Sequence, residues 1–301
     1  MTKKIVLGAI CLVSFCFNQG IAQTDGSDLE KMLEQDAKPK KEYAKNAFKS
    51  TRVVMGHSME MLGKGVLDFR ILHRFGMIKD GISELFGLDQ ASMRMGFDYG
   101  ITRNLTIGYG RSTFNKEYDG FVKYRLLHQH TGEKAIPFSL IWVSGMTVKS
   151  SKFSDAALNT FSNRLGYYHQ VIVGRKFSEN FTLQVSPTLV HQNMVELQKD
   201  NNDMVAIGIG TRYKISKRSA ILLDAFPLVY GAPTGATLPM SIGFDIETGG
   251  HVFQLHVSNS RGMNERAFMG ETTQDWAKGQ INFGFNLSRV FTVVSNKEGS
   301  W

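Results

Sequence analysis

Histidines near carboxylates suggest general-base or metal chemistry, and one stretch offers them: His57 and Glu60, three residues apart, followed by Asp68, His73 and Asp89. An offset of three in a strand places His57 and Glu60 on opposite faces, so only a turn or a helix lets them converge. A metal site needs three or four convergent ligands, which this spacing does not supply. His169, His191 and His251 could each act as base in a membrane-barrel hydrolase, yet no nucleophile elbow or other serine motif accompanies them. The pairs Gly108 and Gly110, and Gly208 and Gly210, imitate part of a phosphate-binding loop. No helix follows them, so barrel curvature or close packing explains them better. No catalytic residue, metal or cofactor is expected, and the sequons at Asn104, Asn180 and Asn286 are chance matches.

The larger chemical signal is a set of charges at two-residue spacing. Asp68, Arg70 and Arg74 alternate with Leu67, Phe69, Ile71 and Phe75; Arg94 and Asp98 alternate with Met93, Met95, Phe97 and Tyr99. Asp245 and Glu247 lie opposite Phe244 and Ile246, and Asp119, Lys123, Arg125, Arg212, Lys214 and His256 occupy similar places. A period of two is that of a β-strand with unlike faces. In a soluble sandwich the apolar face is the core, whereas here the small and charged residues share a face, the pattern of a lumen. Charges of both signs in a lumen must pair or be hydrated. They suit either a network that fills the barrel or a polar pathway with a mild preference for anions, since basic residues outnumber acidic ones.

The elements that position these residues read as an all-β, antiparallel transmembrane β-barrel of twelve strands. They run roughly over 66–75, 91–100, 105–112, 117–128, 137–148, 164–177, 181–192, 203–215, 219–228, 238–248, 251–260 and 280–291. Short joins such as 178–180, 216–218 and 249–250 alternate with long ones such as 77–90, 149–163 and 261–279. That alternation is the one outer-membrane barrels show, with short periplasmic turns and longer outer loops. Only the short join 113–116 breaks the rule, and Pro187 is awkward for a paired strand because it lacks a donor. Tyr99, Tyr109, Tyr118, Trp142, Tyr167 and Tyr213 fall on lipid faces or near strand ends, as interface aromatics do. A thirteenth strand at 53–60 would make the number odd, so this segment is placed in the lumen or the periplasm; a fourteen-strand barrel that uses it and part of 149–163 is the alternative.

The barrel, 66–291, is flanked on both sides. Lys3 and Lys4, the apolar run Ile5 to Phe17 and the small residues up to Ala22 read as a secretory signal cleaved after Ala22, which leaves Gln23 first. An uncleaved anchor and lipidation at Cys11 or Cys16 are the lesser alternatives; both cysteines lie in the signal, so the mature chain has no thiol. Residues 23–65 read as a periplasmic lead-in or lumen segment, acidic at Asp25, Asp28, Glu30 and Glu34, then basic, with one short helix around 29–35. Over 24–50 the solvated linker is preferred to a lumen plug on composition. Residues 292–301 form a periplasmic tail. The join 261–279 is more apolar than an exposed loop needs, with Met263, Phe268, Met269 and Trp276, and is expected to fold into the barrel mouth or onto a partner. Ile78, Ile82, Leu85 and Phe86 are expected to pack beside it.

With 42% hydrophobic and 21% charged residues, 30 Gly and 21 Phe against 6 Pro, the chain is neither disordered nor a bundle of apolar helices. Loss of Lys3 and Lys4 with the signal takes the net charge from +8 to +8 − 2 = +6, which suits lipid phosphates, and nucleic acid is not expected as a partner of an exported chain.

Several strings carry a family likeness: Gly56-His57-Ser58-Met59-Glu60, Leu85-Phe86-Gly87-Leu88-Asp89-Gln90, Phe97-Asp98-Tyr99-Gly100-Ile101 and Gly243-Phe244-Asp245-Ile246-Glu247-Thr248-Gly249-Gly250. With Tyr118-Asp119-Gly120-Phe121 and Ser258-Asn259-Ser260-Arg261, they resemble the Bacteroidota β-barrel family known as domain of unknown function 5777, over nearly all of 48–292. The resemblance implies an outer-membrane barrel and carries no catalytic or binding residues. The leading expectation is a non-enzymatic, narrow or gated route for small polar or anionic solutes, in contact with outer-membrane lipid. The alternatives are a structural barrel with a filled lumen that binds other envelope or periplasmic proteins, and a soluble periplasmic β-protein.

Overall fold

A computed structural model describes residues 40–153, 155–248 and 251–294. The expected signal, its cysteines, the helix around 29–35, the tight turn at 249–250 and most of the tail lie outside the described residues.

Twelve antiparallel strands close a barrel: β1 Val66–Met77, β2 Ala91–Gly100, β3 Leu105–Ser112, β4 Glu117–Leu127, β5 Ser139–Lys149, β6 Leu165–Lys176, β7 Phe181–Gln192, β8 Asp203–Lys214, β9 Ser219–Ala225, β10 Met240–Thr248, β11 His251–Ser258 and β12 Asn282–Thr292. Each strand pairs with the next, and β12 returns to β1, with Leu287 opposite Ile71 and Phe291 opposite Leu67. Closure leaves no sheet edge, which the membrane interior requires. The segment 53–60 takes no place in the ladder, so the count stays even.

The period of two explains the register. In β2 the side chains of Ser92, Arg94 and Asp98 are buried, whereas Met95 and Phe97 are half exposed, at 46% and 49%. The outward set continues around the wall with Tyr109, Val122, Trp142, Val171, Leu189, Ile209, Ile221 and Phe244. So continuous an apolar band is untenable in water and is what a strand barrel presents to hydrocarbon.

Pro187 sits inside β7 with its side chain outward. The β6–β7 ladder is interrupted between Gln170–Thr188 and Val173–Val185, the stretch around the missing N–H. Beyond β9 the chain bends through Phe226 and Pro227, and the short strand Leu228–Tyr230 adds to the outer end of β8. The predicted single strand 219–228 is therefore broken at Phe226, whose ring turns inward and is buried.

The interior differs from expectation in one respect. Its inner face is not uniformly small and charged: Ile141, Val143, Tyr168, Ile172, Val190, Met204 and Leu222 are buried there and form one apolar cluster. These strands carry large residues on both faces, one packed inside and one facing lipid, so their alternation is muted in the sequence.

A lumen closed from both ends

On the rule that short turns face the periplasm, the segment before β1 enters from the periplasmic rim. Glu42 and Tyr43 pair antiparallel with Thr131 and His130 in the β4–β5 connection, and Lys176 Nζ donates to the Lys45 carbonyl. The chain then climbs into the barrel, turns back and leaves at the same rim, where Gly65 N–H donates to the Gly100 carbonyl. Residues 44–62 thus form a hairpin inside the lumen. Its turn is set by Val53 N–H to the Gly56 carbonyl at 2.9 Å and Ser58 N–H to the Thr51 carbonyl at 3.0 Å. Glu60 Oε1 accepts from the Ala47 and Phe48 N–H groups and ties the arms together. The linker preferred from composition is therefore corrected from residue 47 onward: Ala47 and Phe48 are buried, because both join the apolar cluster.

Side chains of the wall hold this hairpin largely by its backbone. Asp224 Oδ2 accepts from three successive N–H groups, those of Val54, Met55 and Gly56, at 3.2, 2.8 and 2.9 Å. Lys123 Nζ donates to the carbonyls of Thr51, Ser58 and Glu60 at 3.2, 2.7 and 2.6 Å. Gln184 accepts from Met59 N–H and donates to the His57 carbonyl. Gln254 and Asn286 donate to the carbonyls of Val53 and Val54. Small wall residues make the room: a Cβ on Gly210, Gly243 or Gly174 would meet Val53, Val54 or Met59 within 3 Å. The G-x-G pairs serve packing.

The outer mouth is filled by the β11–β12 loop. Its short helix α1, Glu265–Gly270, begins at Asn264, whose side chain accepts from Ala267 N–H, and Glu265 through Met269 are all buried. The expectation that 261–279 folds inward thus describes Met263, Phe268 and Met269, which are buried. Its companion is corrected: Ile82 is 82% exposed, with Leu85 and Phe86 also exposed, because the β1–β2 loop turns on itself through left-handed residues instead of packing on the mouth.

Hairpin and loop meet in the dry centre. Arg52 Nη1 lies 3.0 Å from Glu265 Oε1, with both side chains at most 1% exposed. His57 Nε2 is 3.5 Å from the same oxygen and 3.3 Å from Tyr168 Oη, under the edge of Phe121. Arg266 reaches Glu117 through Nε and Nη2 and Glu271 through Nη1, which pins α1 to β4. Glu271 also meets Lys149 at 2.8 Å and accepts from the Asn115 amide. Burial opposes its charge, but Arg266 and Lys149 hold its carboxyl below the usual range.

The sequence-derived lumen residues divide by height. Asp68, Arg70, Arg74, Arg94, Asp98, Asp119, Lys123, Arg212, Asp245 and His256 are buried inside the barrel. Arg70 pairs with Asp68 at 2.6 Å and also donates to Ser50 and Thr51 of the hairpin. Arg94 pairs with Asp119 at 2.5 Å. Arg125, Lys214 and Glu247 are only partly buried: Arg125 donates to Asn104 and the Arg103 carbonyl, and Glu247 meets Lys49 at 3.0 Å, so they belong to the periplasmic rim. His57 and Glu60 do not converge. His73 faces outward, stacked on Phe285, and Asp89 is exposed. His169 contacts Ser144 on the outer surface, and His191 meets Asp203 at the outer strand ends. Among the described residues, no three histidine or carboxylate groups gather as a metal set. Gln184 falls on the inner face that its alternation with Leu183 and Val185 implies, whereas Asp224, Glu117, Glu265, Arg266 and Gln254 were missed.

The chain matches, over residues 48–291, the family model described as a membrane-bound β-barrel domain, domain of unknown function 5777. It belongs to that family. A family of membrane-bound barrels, with an even strand count and the apolar outer band, places the protein in the outer membrane and removes the soluble periplasmic alternative. Solved structures similar in fold include the NanC porin, at 9% identity and a TM-score of 0.46, covering 74% of this chain and 98% of that one. An outer-membrane channel from Pseudomonas putida F1 is similar at 12% identity and a TM-score of 0.45, covering 78% of this chain and 98% of that one. No curated protein matches in sequence.

The periplasmic entrance of this domain of unknown function 5777 barrel carries a titratable strap. Tyr43 stacks on His128 at 4.8 Å and lies 5.2 Å from His130, while His128 Nε2 is 3.1 Å from the Ala44 carbonyl. Burial, then the neighbouring Arg125, pushes His128 down to about 4 from 6.5. A histidine held below its free value contributes stability that is complete above about pH 6.5 and lost as pH falls towards 4. Hydrogen exchange at residues 42–45, corrected for intrinsic rates, is expected to accelerate across that window in the wild type and not in His128→Phe. Equal protection at pH 7 and pH 4.5 in the wild type would dismiss the assignment.

Proposed function

We propose that this barrel is a gated, non-enzymatic route for small polar solutes, held shut at rest by its own N-terminal hairpin and by the β11–β12 loop. The observation that carries the reading is the path of the hairpin. It enters and leaves at one rim, so it can withdraw towards the periplasm without threading the chain through the wall. Once vacated, the wall presents Arg70, Arg94, Lys123 and Arg212 beside Asp98, Asp119, Asp224 and Asp245, a lining that water and polar solutes can wet. With the hairpin in place, the space left is small. A cavity of about 10 Å³ beside Ser50, Arg52 and Arg70 has room for roughly one water, and one of about 190 Å³ lies at the mouth by Asn46, Glu60 and Asp68.

A structural barrel with a permanently filled lumen is the second reading. It is favoured by the apolar contacts of Val53, Met55 and Met59 with the wall cluster.

One substitution separates the two. A Cβ on Gly56 would lie 2.3 Å from Phe226 Cζ, and Phe226 is buried against Phe268 at 4.7 Å, so the ring has nowhere to go. Gly56→Val therefore excludes the hairpin tip without touching the wall. In planar bilayers the wild type is expected to be closed with rare openings, and Gly56→Val to give steady conductance. Heat-modifiable mobility on gels checks that the barrel has formed. A folded but silent Gly56→Val protein would hand the case to the filled barrel.

A further inference from the structure

The way the wall holds its hairpin carries information about what else the wall can hold. A plug can be retained by side-chain contacts, which demand a particular sequence, or by main-chain contacts, which demand only a polypeptide. Here the second kind is well developed. One carboxylate, Asp224, takes three consecutive N–H groups, and one ammonium, Lys123, takes three carbonyls from both arms. Gln184 offers its amide oxygen to one peptide N–H and its amide nitrogen to a peptide carbonyl two residues away, the pattern by which one amide complements another. Gln254 and Asn286 extend the row by donating to two successive carbonyls.

These five readers come from β4, β7, β9, β11 and β12, so donors and acceptors face the chain from around the barrel. Buried backbone groups must find partners in any plug. A wall evolved only to be filled could satisfy them with the hairpin's own turns or leave them to trapped water. It has instead placed two charged groups and three amides where main-chain groups of a bent peptide fall, and cleared Gly174, Gly210 and Gly243 to let that chain approach.

We infer that the solute recognised by the vacated lumen is a peptide, bound through its main chain, and that residues 51–60 are its resident mimic. The inference rests on the gated reading above and gives that route its substrate class. It also explains the balance of buried charge: a peptide backbone needs a carboxylate for its N–H groups and a cation for its carbonyls, whereas a route for simple anions has no use for Asp224.

The test uses the full chain as Gly56→Val, which leaves all five readers in place. A soluble decapeptide of alternating alanine and serine is added to the periplasmic side in bilayers. In parallel, its binding to the purified protein in detergent is measured by equilibrium dialysis. The controls are the same peptide methylated on its backbone nitrogens and an oligosaccharide of equal mass. The expected result is binding and current block at a concentration at least tenfold lower than either control requires, with a further tenfold weakening in Gly56→Val/Gln184→Leu. If Gly56→Val conducts but peptide, methylated peptide and sugar behave alike, the peptide inference is overturned and the gate stands. If Gly56→Val is folded and silent in bilayers and binds no peptide in dialysis, the lumen stays filled, and the gate and the peptide inference fall together.

Discussion

Glu265→Ala is expected to lower the stability of the closed barrel by about 3–5 kcal/mol and to loosen both mouths at once. Among the described residues, Glu265 is the carboxylate on which the periplasmic hairpin and the outer loop converge, through Arg52 at 3.0 Å and His57 at 3.5 Å. Without it, the Arg52 guanidinium keeps the Met55 carbonyl and loses its counter-ion while it remains buried. A lone buried charge is worse than no charge, so Arg52 would move out, and residues 44–62 with it. The loop would lose its inner contact in the same event. The measurements are the temperature at which heat-modifiable mobility disappears and protease sensitivity at both 44–62 and 261–279. Glu265→Gln keeps an acceptor and should lose less. Replacing the whole pair, as Arg52→Met/Glu265→Leu, should recover much of the stability, because two apolar groups leave nothing uncompensated. Unchanged protection of the hairpin in Glu265→Ala would show that the two closures are independent.

The parts of this molecule that were legible in the sequence share one physical property: each has a wet or charged face opposite a lipid face. β2, β3 and β7 fall at the predicted residues because Arg94, Asp98, Thr182 and Gln184 alternate with Phe97, Tyr109 and Leu183, and lipid enforces the outward set. β9 was less legible. Leu222 faces inward and Leu223 outward, so the apolar run hid Asp224 between two faces that both look dry. The apolar half of the lumen was hidden for the same reason, since Ile141 and Val143 have inner partners that only the folded hairpin supplies.

The hairpin itself left no local mark. It forms neither helix nor paired barrel strand, and its hydrogen bonds go to residues far away in sequence: Val54 to Asp224 across 170 positions, Arg52 to Glu265 across 213. Composition saw lysines at 38–49 and read them as solvated. Lys45 is exposed, and Lys49 stays at the rim, donating to Asn46 and Glu247. Periodicity has no purchase on a segment whose backbone is satisfied by side chains, so the charged residues of the wall were visible while the object they hold was not. That is also why Lys123 and Gln184 could be placed on an inner face but not given a role.

Asp224→Ala should be the most damaging change at a residue of the wall, and it tests whether the hairpin is held by its main chain. The substitution strips the acceptor from the N–H groups of Val54, Met55 and Gly56 together. A buried, unsatisfied amide costs about 1–3 kcal/mol, so even with relaxation the tip should lose about 3 kcal/mol or more. Asp224→Asn retains an acceptor oxygen and should fall between the two. Lys123→Met removes a donor from three carbonyls, which tolerate loss better than N–H groups do, and should cost less than Asp224→Ala. Hydrogen exchange at 54–56 reads the effect directly: protection should drop by two orders of magnitude or more in Asp224→Ala, since about 3 kcal/mol corresponds to roughly that factor. The same protein should flicker open in bilayers, because a tip that is no longer gripped spends part of its time withdrawn towards the periplasm. Were those amides as protected in Asp224→Ala as in the wild type, the grip would lie in the apolar contacts of Val53 and Met55, and both the gate and its peptide-like recognition would lose their physical basis.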